Sequence, residues 1–274
     1  FGGLANRPVW AENGLMYRFA NPTFFLALAG RLIPPFAILA IALLGWGLYQ
    51  IFYLAPDDYQ QGASVKIMYI HVPAAWLGLA CYGLMTTSAL GSILFRHPLA
   101  DVSGKALAPI GASFTFLCLV TGALWGKPMW GTWWVWDARL TSVLVLFLIY
   151  CGIMALWEAF DDPLRAARPV AILTLFGSIN LPIVKFSVDW WNTLHQPASV
   201  FRMGGSTIDA SMLTPLLVMA VGATFLMGAL YLDGMRTEIL RRRVRSLQIK
   251  QVGQKDAQDH TASQNSPDYT GAAS

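Results

Sequence analysis

Six stretches of this chain contain no Asp, Glu, Lys or Arg: 32–56, 67–95, 106–126, 140–157, 169–184 and 210–232. A bilayer core takes roughly 17–25 apolar residues of helix, so the pattern predicts six transmembrane helices. The fifth stretch is short, but the stem of Lys185 can snorkel and let that helix continue to about residue 188. Pro34, Pro35, Pro73, Pro109 and Pro215 are expected near helix starts, where a missing N–H costs little. Pro182 lies deep in the fifth span and is expected to kink it. The apolar segment 14–28, with scattered polar residues, reads as lying along the membrane interface. The tail after about 252, rich in Gln, Ser, Asp and Ala, reads as disordered. The fold class is therefore an all-α integral membrane protein. Its divisions are an N-terminal cytoplasmic or interfacial segment (1–31), a six-helix membrane domain (32–232) and a tail (233–274) that is basic and then disordered.

Composition supports this. The 274 residues are 55% hydrophobic and only 12% charged, against about 25% charged in soluble domains. The net charge of +4 would suit a nucleic-acid partner, but the excess sits in Arg241-Arg-Arg-Val-Arg245, directly after the last apolar stretch. A basic cluster there is the cytoplasmic flank of a membrane helix, so nucleic acid is excluded and membrane lipid is the expected partner. With six helices both termini share a side. That side carries fourteen of the nineteen Lys and Arg residues, and the positive-inside rule makes it cytoplasmic. Cys81, Cys118 and Cys151 all fall in apolar runs and are read as small buried hydrophobes. There is no C-x-x-C-H haem-attachment motif, so the chain is not itself a c-type cytochrome. No signal peptide is expected, since no short apolar stretch with a small-residue cleavage site stands at the start.

This topology brings candidate chemistry to one face. Trp125, Trp130, Trp133, Trp134 and Trp136 crowd the connection between helices three and four, read as a loop over 125–137, and Asp137 closes the run. His71 lies near the outer start of helix two and His195 in the connection after helix five. All fall on the outer side. Interfacial tryptophans often form an anchoring belt, but a belt is spread over many helix ends. Five indoles in one glycine-spaced run suit a platform for a flat ligand. Gly126 and Gly131 relieve backbone crowding there. Asp137 fits a helix N-cap or an ion pair with Arg139 or Lys127. An interfacial histidine is often simply hydrogen-bonded, yet imidazole is also a common iron ligand, and ionisable groups near membrane depth are functional candidates. Two imidazoles on one face would supply two axial bonds to a planar metallocycle such as haem. Indoles would stack on its ring, and Arg139, Lys127 or Arg202 would meet its carboxylates.

The run Trp-Gly-Thr-Trp-Trp-Val-Trp-Asp-Ala-Arg-Leu-Thr-Ser at 130–142 resembles the tryptophan-rich "WWD" signature of the haem-handling superfamily of cytochrome c maturation. Its ending, with the size and span count, resembles the haem exporter protein C (CcmC) branch. Tyr69-Ile-His71-Val-Pro73-Ala-Ala-Trp76 resembles that family's first histidine segment. Lys185-Phe-Ser-Val-Asp-Trp-Trp-Asn-Thr-Leu-His195-Gln-Pro197 resembles its second. Together they cover most of the chain between about 30 and 235. The resemblance implies that haem b is held as cargo at the periplasmic face of the bacterial cytoplasmic (inner) membrane. From there it is loaded covalently onto a periplasmic haem chaperone (CcmE) during c-type cytochrome biogenesis. It also implies a small membrane partner (CcmD) and an ATP-binding cassette transporter (CcmA with CcmB). By the same resemblance His71 and His195 are the axial iron ligands, and Trp125, Trp130, Trp133, Trp134, Trp136 and Asp137 build the platform.

The chain has no G-x-x-x-x-G-K-[ST] loop and so is not the ATPase. It is expected to present haem to a nucleophile on its partner rather than to act as an enzyme with its own. Three other readings compete with this one. A cytochrome c haem lyase acting directly on apocytochrome is typically longer, with more spans and histidines. A haem permease subunit of an ABC transporter should carry ionisable groups at mid-membrane depth, and these spans have almost none. A scaffold would use its indoles only as anchors.

Overall fold

A computed structural model of the chain describes residues 21–97, 99–196 and 199–264. Its regular elements are helices. They are α1 (Pro22–Tyr53), a 3-10 turn (Ala63–Ile67), α2 (Met68–Phe95), α3 (Ala100–Trp130), α4 (Ala138–Glu158), α5 (Pro163–Gly177), α6 (Asn180–Trp190) and α7 (Ala210–Gln264). Six segments, with α5 and α6 counted as one, are long and apolar enough to cross a membrane. The chain is a multi-pass helical membrane protein.

Several expected boundaries move, each for a local reason. The first helix begins at Pro22, not near residue 32. Asn21 caps it, its Oδ1 accepting from Thr23 N–H at 2.9 Å, and Pro22 sits where no intrahelical N–H is needed. Residues 22–28 of the expected interfacial segment therefore belong to the first spanning helix; 14–20 lie outside the described residues. Pro34 and Pro35 fall in mid-helix as a result. Pro73 and Pro215 lie near the starts of their helices as expected, whereas Pro109 falls deeper, in the third turn of its helix.

The fifth span is broken, not merely kinked. The break falls at Ser178–Ile179, four residues before Pro182. A helical proline clashes with the carbonyl four residues back and leaves it without a donor, and for Pro182 that carbonyl belongs to Ser178. Here Ser178 O is taken by Leu181 N–H at 3.0 Å, a tighter turn. The second half then runs on to Trp190. The last helix does not stop near 232, nor give way to disorder near 252. It continues to Gln264, 55 residues in all. At 1.5 Å per residue that is roughly 80 Å, against a hydrocarbon core of about 30 Å. Its second half therefore carries the Arg241–Arg245 cluster clear of the bilayer.

Packing follows membrane rules, in which close approach and hydrogen bonds replace water exclusion. The longest seams pair α2 with α3 and α1 with α7. In the core Tyr82, Tyr150, Met85, Leu107 and Ile153 are fully buried. Tyr150 OH donates to Gly78 O at 2.8 Å and Tyr82 OH to Thr174 O at 3.1 Å, so both phenols are satisfied. Apolar side chains such as Ile41, Phe52, Phe95 and Phe176 point outward, as a lipid-facing surface requires. At the end bearing the basic cluster, Glu238 of α7 is buried. It meets Arg242 at 2.8 Å, Arg241 at 3.3 Å and Lys105 of α3 at 3.6 Å. Arg242 also reaches Asp101 of α3 at 2.8 Å.

Candidate functional site

The opposite end holds the candidate site, and α3 is its spine. That helix runs through Trp130 and ends on Gly131, whose left-handed φ of 76° turns the chain while its N–H meets Lys127 O at 3.1 Å. Trp125 and Trp130 are thus helical residues, and the connection expected over 125–137 is only 131–137. This fixes two of the five indoles on a rigid element. Trp125 Nε1 donates to Gln61 Oε1 at 2.9 Å, tying α3 to the connection before α2.

His71, in the first turn of α2, packs its ring against Trp125, with centroids 5.7 Å apart and planes at 74°. Its Nδ1 lies 3.1 Å from both Cys118 O and Thr121 Oγ1 on α3. His195 follows α6 and packs against Trp130, centroids 5.0 Å apart at 67°. The two imidazoles thus each pack against an indole of the same helix. The two tryptophans they touch are separated by five residues of one helix, about 7.5 Å of rise. Residues far apart in sequence thus converge at one end of the bundle.

Asp137 links this cluster to α4. Its Oδ1 accepts from Leu140 N–H at 2.7 Å, the helix cap. Its Oδ2 faces His195 Nδ1 at 3.4 Å. The expected alternatives were a cap or a pair with Arg139 or Lys127. The structure keeps the cap and puts the histidine in place of either cation. Arg139 turns to α6, donating to Ser187 Oγ at 3.1 Å and Lys185 O at 3.3 Å. Lys127 donates to Gly131 O at 3.0 Å and lies over Trp133, 5.8 Å from the ring centroid. Because a carboxylate only accepts, Nδ1 of His195 donates, and the neutral ring keeps its lone pair on Nε2. Burial holds the His195 pKa below its usual 6.5; Asp137 pulls it up again and Arg139 adds to the fall. At neutral pH this imidazole is a free Lewis base.

The remaining indoles divide by exposure. Trp133 and Trp136 are exposed, with Trp136 packed edge-on to Trp134 at 5.5 Å. Trp134 is half-buried, and its Nε1 is buried without a hydrogen-bond partner. Trp190 and Trp191 are exposed nearby in sequence to His195. Arg202 is exposed on the connection before α7. Two neutral nitrogen donors backed by acceptors, aromatic faces and an unpaired buried N–H suit a flat, aromatic, metal-centred ligand with hydrogen-bond acceptors. Among the described residues no group of three or more His, Cys, Asp and Glu side chains could hold a bare metal ion. Gln61, Cys118, Thr121 and Gly122, which brace Trp125 and His71, carry no sequence motif and were missed. Their one signal is that Cys118, Thr121, Gly122 and Trp125 fall on a single helical face.

Fold and site define a polytopic membrane protein with a histidine- and indole-lined site at one end of its bundle. Comparison with known proteins gives the family. Residues 15–250 match CcmC, Heme exporter protein C, and the chain belongs to that family. It is 67% identical over 233 residues to Heme exporter protein C of Bradyrhizobium diazoefficiens, covering 85% of this chain and 88% of that one. It is 48% identical over 225 residues to the Escherichia coli K12 protein of that name (82% and 91% covered). The Haemophilus influenzae protein of that name is 44% identical over 239 residues (87% and 97% covered).

Proposed function

We propose that this protein binds haem b at the periplasmic face of the cytoplasmic membrane and presents it for covalent loading onto a periplasmic haem chaperone (CcmE) during c-type cytochrome biogenesis. The observation that carries this reading is the convergence of two imidazoles, each packed against an indole of the same helix, at the end opposite the basic cluster. Positive-inside bias puts that basic end in the cytoplasm and the histidines outside. The relatives' name, heme exporter, supplies the ligand class.

In this reading His71 and His195 take the iron through Nε2, and Trp125, Trp130 and Trp134 enclose the ring. Trp133, Trp136 and Asp137 complete the platform, with the two exposed indoles meeting the chaperone. The chain acts by holding cargo in one orientation, since proximity and alignment alone can remove much of a barrier. The nucleophile belongs to the chaperone. CcmD, CcmA and CcmB are its expected assembly partners, and α7 reaches far enough past the membrane to meet a cytoplasmic one.

Visible spectra of the purified full chain test the reading. Wild type should show a six-coordinate haem, and His71→Ala and His195→Ala should each lose or alter it while the protein stays folded. Unchanged spectra in both variants would end the axial-ligand assignment.

A further inference from the structure

We propose that Thr121 and Gly122 of α3 are positioning residues for His71, holding its imidazole as the Nδ1–H tautomer with Nε2 free to face the site. Thr121 Oγ1 lies 2.6 Å from Leu117 O, its shortest acceptor. A hydroxyl has one proton, so Thr121 spends it on Leu117 O and offers His71 only lone pairs. The other neighbour of His71 Nδ1, Cys118 O, is a carbonyl and can only accept. Both partners at 3.1 Å are acceptors, so Nδ1 donates to both. A neutral imidazole with its proton on Nδ1 carries its lone pair on Nε2.

Sterics then fix the ring's place. A Cβ on Gly122 would stand 3.0 Å from His71 Cε1, tighter than ordinary contact, and 3.5 Å from Nδ1. Gly122 is therefore the notch into which the ring edge settles. Trp125, tied by Gln61, closes the other side. Cys118, Thr121, Gly122 and Trp125 lie at i, i+3, i+4 and i+7, one face of α3. A single rigid helix face thus supplies two acceptors, a gap and an indole wall to one imidazole. Outer partners of this kind set the tautomer and basicity of a metal-binding histidine. None of the three residues that touch Nδ1 and Cε1 belongs to the tryptophan run.

The tautomer half of this inference stands on geometry alone; the consequence for iron rests on the function proposed above. The test uses the full chain in lipid nanodiscs, with wild type, Thr121→Val, Thr121→Ser, Gly122→Ala and His71→Gln. Nitrogen-15 NMR of labelled histidine, without haem, should show His71 protonated on Nδ1, the signal being assigned by its loss in His71→Gln. Protonation on Nε2 would overturn the inference whatever haem does. Haem titration should then find Thr121→Val about tenfold weaker or more, the usual range for losing such a partner, with Thr121→Ser restored to wild type and Gly122→Ala weakened as well. Wild-type affinity in both Thr121→Val and Gly122→Ala would also overturn it. Should His71→Gln itself bind haem like wild type, the haem reading fails, and the NMR result alone decides the tautomer.

Discussion

Replacing Asp137 with Asn separates its two tasks, because the structure assigns one to each oxygen. Oδ1 caps α4 through Leu140 N–H at 2.7 Å, and Oδ2 accepts from His195 Nδ1 at 3.4 Å. Asn and Asp are nearly equal as N-caps, whereas Ala there costs about 1 kcal/mol. If the Asn carbonyl oxygen keeps the cap, its amide nitrogen takes the place of Oδ2. That nitrogen is a donor, so His195 Nδ1 must now accept, and the ring's proton moves to Nε2. The lone pair offered to the site is lost while the fold keeps its cap. Loss of an outer partner of a metal-binding histidine weakens binding about 10–100-fold, or about 1.4–2.8 kcal/mol at roughly 1.4 kcal/mol per factor of ten.

Two measurements on each variant check this: thermal unfolding in detergent, and haem titration. Asp137→Asn should unfold like wild type yet bind haem at least about tenfold more weakly. Asp137→Ala should lose affinity and also about 1 kcal/mol of stability. Asp137→Asn with wild-type haem affinity would refute the assignment of Oδ2 to His195, and an equal stability loss in both variants would refute the cap.

Glu238→Gln removes the buried centre of the α3–α7 ion cluster; breaking such a pair costs about 3–5 kcal/mol, and because Arg242 keeps Asp101 at 2.8 Å the expected loss, read by denaturant titration, is about 3 kcal/mol. The His195 pKa is depressed in the folded chain relative to its ordinary 6.5, so the unfolded chain binds more protons just below that value. Its contribution to stability is complete above pH 6.5 and is lost as pH falls from there towards the folded value; His195→Gln should flatten that part of the pH–stability curve.

The number of helices was legible because six charge-free stretches leave a bilayer no other use for them, and their ends were less so. A hydropathy pattern marks where charge stops, whereas a helix stops where its caps and backbone bonds do. Asn21 and Pro22 start α1 ten residues ahead of its charge-free run, passing through Arg31 on the way. Ser178 breaks the fifth span because of a proline four residues later. The Arg241–Arg245 cluster, read as the flank of a membrane helix, lies inside one, because Glu238 and Asp101 neutralise part of it and the helix continues.

At the site, residue types were legible and their bonding was not. Histidines and tryptophans declare themselves by rarity, and topology alone put them at one end. Thr121 and Gly122 did not, since a threonine and a glycine inside a span look like ordinary packing until an imidazole is found against them. The cation partners expected for Asp137 failed for a related reason: sequence proximity favoured Arg139 and Lys127, but both find backbone or hydroxyl oxygens nearby, leaving the carboxylate for a histidine 58 residues away.

The two histidines are consequently held in different ways. His71 belongs to a spanning helix and is gripped by another, with two acceptors at 3.1 Å and its Cε1 only 3.0 Å from where a Cβ on Gly122 would stand. His195 lies on a connection, and its side chain meets a carboxylate at 3.4 Å and an indole. Moving the first imidazole means repacking α2 against α3. Moving the second requires only that a helix connection shift away from Trp130 and Asp137. Under the haem-presenting function proposed above, a site that must release what it holds gains from this asymmetry: the histidine fixed by the bundle would keep the cargo in register, while the other sits on the element that can give way.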